Sequence, residues 1–112
     1  MPDHARAADH VGEIAVIFSS HRTDRDPAGY AAAARAMDAL AATQPGYRGM
    51  ASARGADGVG ITVSYWADDA AARAWRDQPD HRAVREAGRA RWYDSYAIVV
   101  ARVERGYDWA AA

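Results

Sequence analysis

Residues Gly58–Trp66 read GVGITVSYW, and the alternation in this stretch decides the fold. Ile61, Val63 and Tyr65 project to one side of an extended chain, and Thr62, Ser64 and Trp66 to the other. A strand with one solvated face carries charges there. This one carries small hydroxyls and an indole, so both faces are expected to be covered. One cover is expected from the chain's own helices and the other from a second copy of the chain.

Working outward, Glu13–Ser20 (EIAVIFSS) is a second such strand, with Ile14, Val16 and Phe18 on one face and Ala15 and Ile17 on the other. The loop HRTDRDP ends in a helix start, because Asp26 can accept from free amides and Pro27 in the first turn wastes no donor. Tyr30, Ala33, Ala34, Met37, Leu40 and Ala41 then recur at helical spacing, with Arg35 and Asp38 on the opposite side, until Gln44-Pro45-Gly46 stops the helix. Tyr47–Arg54 and the Gly58 stretch form an antiparallel hairpin about Gly55-Ala56-Asp57-Gly58. Asp68 or Asp69 caps a short helix through Trp75. Pro79 interrupts it and opens a second piece running to about Trp92. Ser95–Val103 (SYAIVVARV) is the last strand.

The order β-α-β-β-α-β predicts an α+β, ferredoxin-like protomer: a four-stranded antiparallel sheet with its helices on one face. The other face is left apolar or small. Burying several hundred Å2 of it at roughly 25 cal/mol per Å2 gives on the order of 10 kcal/mol before association costs, so a homodimer is expected.

The 112 residues bound the chain to one domain, 13–107, preceded by a polar, alanine-rich arm (1–12, expected to be mobile) and followed by a tail, 108–112. Fourteen arginines, no lysine and fifteen acids leave a net charge of −1 with no basic cluster, so neither nucleic acid nor a membrane surface is an expected partner. The chain has no cysteine, which excludes disulfide, zinc–thiolate and cysteine-nucleophile chemistry. With no bilayer-length apolar run and no signal-peptide pattern, a cytoplasmic location is expected.

The run ITVSYW, the AW nine residues on, the stretch HRAVREAGRARWYDSY and the final VARVER resemble the antibiotic biosynthesis monooxygenase family. The resemblance spans Glu13 to Tyr107 and implies a dimeric α+β barrel of ferredoxin-like protomers. That family includes cofactor-independent oxygenases of quinols and anthrones and also heme-degrading enzymes. The heme branch uses an Asn on the first strand, a Trp on the second helix and a ligating His about ten residues later. Trp75 matches the Trp, but the chain contains no asparagine, and Arg85 stands ten residues beyond Trp75. Heme breakdown by that route is disfavoured, and no cofactor is expected.

His81, Arg85, Gly88 and Trp92 recur at helical spacing and form one stripe if the helix from Pro79 is continuous. Gly88 costs that helix roughly 1 kcal/mol against alanine, which suggests close approach of a strand or a flat ligand. With Trp75, Phe18, Tyr65 or Trp66, and Tyr96, the stripe describes an aromatic cavity suited to a planar phenolic compound. His81 is the expected base, Arg85 or Arg89 the stabiliser of the anion, and Trp75, Phe18 and Trp92 the ring-binding walls. The expected activity is cofactor-independent oxidation of such a compound by O2. Plain packing of Trp66 and Trp92, an ordinary helix-start role for His81, and surface pairing of Arg85 and Arg89 are the bland alternatives. Heme handling through His81 and a non-catalytic small-molecule-binding dimer also stay open. No metal ligand set is expected: His4, His10 and His21 read as arm or loop residues without ligand spacing. Asp24, Asp26, Asp68 and Asp69 read as caps, and Gly55–Gly60 lacks the context of a phosphate cradle.

Overall fold

Four strands and three helices occupy the described residues, 6–112, of the computed structural model. They are β1 (Ile14–Arg22), α1 (Pro27–Ala42), β2 (Tyr47–Arg54), β3 (Val59–Trp66), α2 (Asp69–Asp77), α3 (Pro79–Ala87) and β4 (Tyr93–Arg102). The strands pair in the order β2-β3-β1-β4, every pair antiparallel, which is the ferredoxin-like arrangement. Ile14 faces Trp66 across one ladder and Arg102 across the other. The even-numbered residues of β1 and β3 therefore share the helix-covered face.

The helix starts follow from local chemistry. Asp26, in the left-handed region at φ 48°, accepts from the Gly29 amide ahead of Pro27, and Asp68 accepts from the Ala71 amide at 2.8 Å. Gly58 takes the positive φ that closes the β2–β3 hairpin. The helix expected to run from Pro79 to Trp92 stops at Ala87, and Gly88–Trp92 forms a π-helical turn. Close approach explains the glycine: a Cβ on Gly88 would lie 2.9 Å from the ring of Tyr93, the first residue of β4.

Ile14, Ala41, Trp66, Ala72 and Trp75 make the packed core at the Trp66 end of the sheet. Trp66 is 0% exposed, and its indole N–H donates to Ser64 Oγ at 3.0 Å. Towards the other end of the sheet, Trp92, 6% exposed, and Tyr93 pack edge-on against Tyr30 of α1.

The helix-free face is partly covered by part of the chain's own N-terminal segment. Residues 1–5, His4 among them, lie outside the described ones; Ala7–His10 forms a turn of 3-10 helix. His10 is only 7% exposed, stacks on Tyr65 at 3.7 Å and pairs with Glu13. Burial of the Tyr65 ring under an imidazole holds the segment down. The rest of that face stays open, with Ile61 50% and Val99 56% exposed. His21 is also no loop residue. It lies on β1 and ties Asp94, at 2.6 Å, to the Asp57 carbonyl, at 3.0 Å.

Candidate functional site

A cavity of about 470 Å3 lies between the helices and the sheet, within the size range of small-molecule sites. Its middle is apolar, walled by Val16, Phe18, Met37, Met50, Val84 and Ile98. Of the residues expected from the sequence, Phe18, Trp75, His81, Arg85 and Trp92 line it. The others do not. Tyr65 points to the far side of the sheet, because it stands one residue out of phase with Ser64 and Trp66 and stacks on His10. Trp66 lies beneath Trp75 as core, with ring centroids 5.9 Å apart. Arg89 is exposed and donates to the Tyr96 hydroxyl, forming a pair beside the cavity. Tyr96 touches it only indirectly, through Phe18 at 5.4 Å.

His81 is positioned by the break between α2 and α3. In an unbroken helix the Trp75 carbonyl would accept from the amide of residue 79, but Pro79 has no N–H. The carbonyl instead accepts from the Gln78 amide at 3.2 Å and from His81 Nδ1 at 2.8 Å. The Gln78 side chain in turn accepts from the His81 amide, and the imidazole stacks on the Trp75 indole at 4.1 Å and 8°. A carbonyl oxygen only accepts, so Nδ1 carries a proton and Nε2 of the neutral ring is left with the lone pair. Burial pushes the imidazole below its ordinary value. The bond to the Trp75 carbonyl opposes that shift, and the Arg85 guanidinium adds to it. The ring is thus held neutral, with one basic nitrogen, in the wall of an aromatic cavity.

Several lining residues were not expected. Asp38, read as lying on the outer side of α1, sits at the cavity rim, where desolvation raises its carboxyl above the usual range although much of its surface meets solvent. The Ser52 and Thr62 hydroxyls pair across β2 and β3 at 2.8 Å within the lining. Tyr30, Arg54 and Tyr93 close the end of the cavity near Gly60. Helical spacing does place Tyr30 on the Met37 face, but the approach of Arg54 to it depends on strand register. Among the described residues, no group of three or more His, Asp or Glu side chains is arranged to hold a metal ion, and no helix is long and apolar enough to cross a membrane.

Comparison with known proteins agrees with this architecture. A relative from Bacillus subtilis (strain 168), the uncharacterized protein YqjZ, is 52% identical over 91 residues, covering 81% of this chain and 79% of its own length. Among solved structures, a single-residue variant of SnoaB, a cofactor-independent oxygenase from Streptomyces nogalater, superposes with a TM-score of 0.73 at 20% identity, over 85% of this chain and 96% of that one. A conserved protein from Methanosarcina mazei Go1 does so with a TM-score of 0.75 at 7% identity, over 84% and 95%. At such identities these two structures speak for the fold alone. The sequence model of antibiotic biosynthesis monooxygenases matches residues 14–87. Together with the 52% identical relative, that match establishes that the chain belongs to the antibiotic biosynthesis monooxygenase family.

Proposed function

We propose that this protein is a cofactor-independent monooxygenase of an aromatic quinol, anthrone or similar electron-rich phenol, and that it works as a homodimer. The observation that carries the reading is the fixed tautomer of His81: Nδ1 is committed to the Trp75 carbonyl, and the free Nε2 belongs to a ring lining an aromatic cavity.

The chemistry follows from that arrangement. Nε2 takes a proton from the bound ring system, and the resulting anion is stabilised by the neighbouring Arg85. The anion gives one electron to O2, and the radical pair recombines to a C–O bond. For an anthrone, loss of water from the hydroperoxide completes the balance: anthrone plus O2 gives quinone plus water. The substrate itself supplies the electrons, so the protein need only bind it, remove the proton and exclude bulk water. Trp75, Phe18 and Trp92 are the walls that grip the ring. Oxygen uptake with a panel of hydroquinones and anthrones tests the proposal, with turnover expected for at least one and largely lost in His81→Ala. A panel that consumes no oxygen above the uncatalysed rate refutes it.

The dimer is supported by the open apolar face. Ile61 and Val99 project from it, and β4 also leaves Ile98 and Val100 exposed on its other side. A second copy packed sheet to sheet would bury Ile61 and Val99. Val99→Asp is expected to yield monomer or insoluble protein, and sedimentation of a well-folded wild-type monomer at micromolar concentration would remove this part of the reading.

A further inference from the structure

The cavity wall holds two groups that the chemistry above does not use. The chain has three methionines and no cysteine, so thioethers are its only oxidisable sulfur. Two of them, Met37 on α1 and Met50 on β2, line the cavity, each half-buried. Both also pack against the cluster of Ile14, Trp66 and Trp75. Met50 stands opposite Ser64, the residue that accepts from the Trp66 indole. The two thioether side chains therefore approach the Trp75 end of the cavity from both layers, one from the helices and one from the sheet. Volume alone does not ask for sulfur there. Leu40 packs against the same cluster, and leucine and methionine exchange in a core at small cost. What a thioether adds is a soft nucleophile that accepts an oxygen atom.

We infer that Met37 and Met50 form a sulfoxidation site, at which an organic hydroperoxide formed in the cavity gives up its outer oxygen. This rests on the oxygenase reading for the source of the peroxide. For an anthrone, the carbon that loses its proton to His81 is the carbon to which O2 adds, so the peroxide arises at the end of the cavity where His81 stacks on Trp75. There it has two fates. Loss of water gives the quinone. Attack of a sulfur lone pair on the outer oxygen breaks the O–O bond instead, and the proton of that oxygen passes to the departing alkoxide. Hydroperoxide plus thioether gives alcohol plus sulfoxide; sulfur loses two electrons and the peroxide gains them. The sulfoxide puts a polar S=O group into an apolar wall beside Trp75. A flat apolar ligand then binds less well, so the wall records turnover and slows it.

Cumene hydroperoxide, an aromatic hydroperoxide, supplies the oxidant without any oxygenase step. The full chain and N-acetylmethionine are oxidised in one tube, and the sulfoxides are read by mass spectrometry. A half-buried thioether that meets oxidant only from solvent reacts more slowly than the free one. Held beside the peroxide, Met37 or Met50 is expected to react at least about tenfold faster than N-acetylmethionine, a small part of what positioning can supply. With hydrogen peroxide, which has no ring to bind, both are expected to fall behind it. No acceleration with cumene hydroperoxide, or the same acceleration with both oxidants, overturns the inference. Turnover of 1,8-dihydroxyanthrone is the second arm, each progress curve scaled to its own initial rate. Wild type is expected to decay as sulfoxide accumulates, and a double variant, Met37→Leu with Met50→Leu, to hold its rate several-fold longer; equal decay removes the slowing. Oxygen uptake that leaves both thioethers intact removes this inference alone. Acceleration with cumene hydroperoxide but no uptake on any anthrone removes the oxygenase alone.

Discussion

His81 and His21 carry the same ring into different surroundings. At His81 one carbonyl accepts from Nδ1, the ring is stacked on an indole, and Arg85 is the nearby charge. At His21, in solvent, the Asp94 carboxylate faces one nitrogen and the Asp57 carbonyl the other. Both partners only accept, so both nitrogens must carry protons. Burial lowers the first imidazole from 6.5, and the hydrogen bond to Asp94, followed by that to Asp57, raises the second. Desolvation and the number of acceptors decide whether a histidine is a base or a cation. The consequences for stability have opposite signs. His21 contributes stability that is fully present below its unfolded value and is lost as pH rises through its raised folded value. His81 costs nothing above its unfolded value and penalises the fold as pH falls through it toward the lowered one.

The comparison breaks most severely if the indole under His81 is removed. Trp75→Ala deletes a core ring and is expected to cost about 3–5 kcal/mol in denaturant unfolding; a loss below about 1 kcal/mol would show that the stack is not structural. On the proposed reading, His81→Ala lowers kcat roughly a hundredfold on a confirmed quinol or anthrone while KM changes little. In wild type kcat/KM rises with pH through the lowered His81 value and then levels off. A bell with its rising limb above pH 7 would assign the base elsewhere. Gly88→Ala forces a Cβ against the Tyr93 ring and is expected to cost about 1–3 kcal/mol. Movement of Tyr93 carries its neighbour Asp94 away from His21, so the variant should also weaken the pH dependence that His21 confers. The smallest effect belongs to His21→Gln. Its melting temperature should fall below that of wild type at acidic pH and converge with it at alkaline pH, with turnover unchanged. A deficit that persists above pH 9 would mean that the imidazolium is not the stabilising species.

The fold was legible because its signals are local. Asp26-Pro27, Gln44-Pro45-Gly46 and Asp68 start and stop helices through contacts within four residues, and period-two alternation marked the strands. The Trp75 and His81 half of the cavity was legible for the same reason, since both residues flank one proline break. What stayed hidden depends on pairing at long range. Alternation shows that Tyr65 and Trp66 point apart, but not which of them faces the helices; the packing of α2 decides that. His10 looked like an arm residue because its partner Tyr65 lies 55 positions away. Asp38 and Arg54 meet the cavity only once α1 and the hairpin are docked, and the π-helical turn leaves no distinctive pattern in GRARW.

The proline between α2 and α3 has one more consequence, for anyone wishing to move this imidazole into another scaffold. The identity of the basic nitrogen is written by residue 79, which touches no proton, because its missing N–H leaves the Trp75 oxygen open to the ring. Grafting the histidine alone would transfer a side chain without its tautomer. The portable unit is the seven-residue segment from Trp75 to His81, in which a helix defect is the heritable instruction and the imidazole its readout.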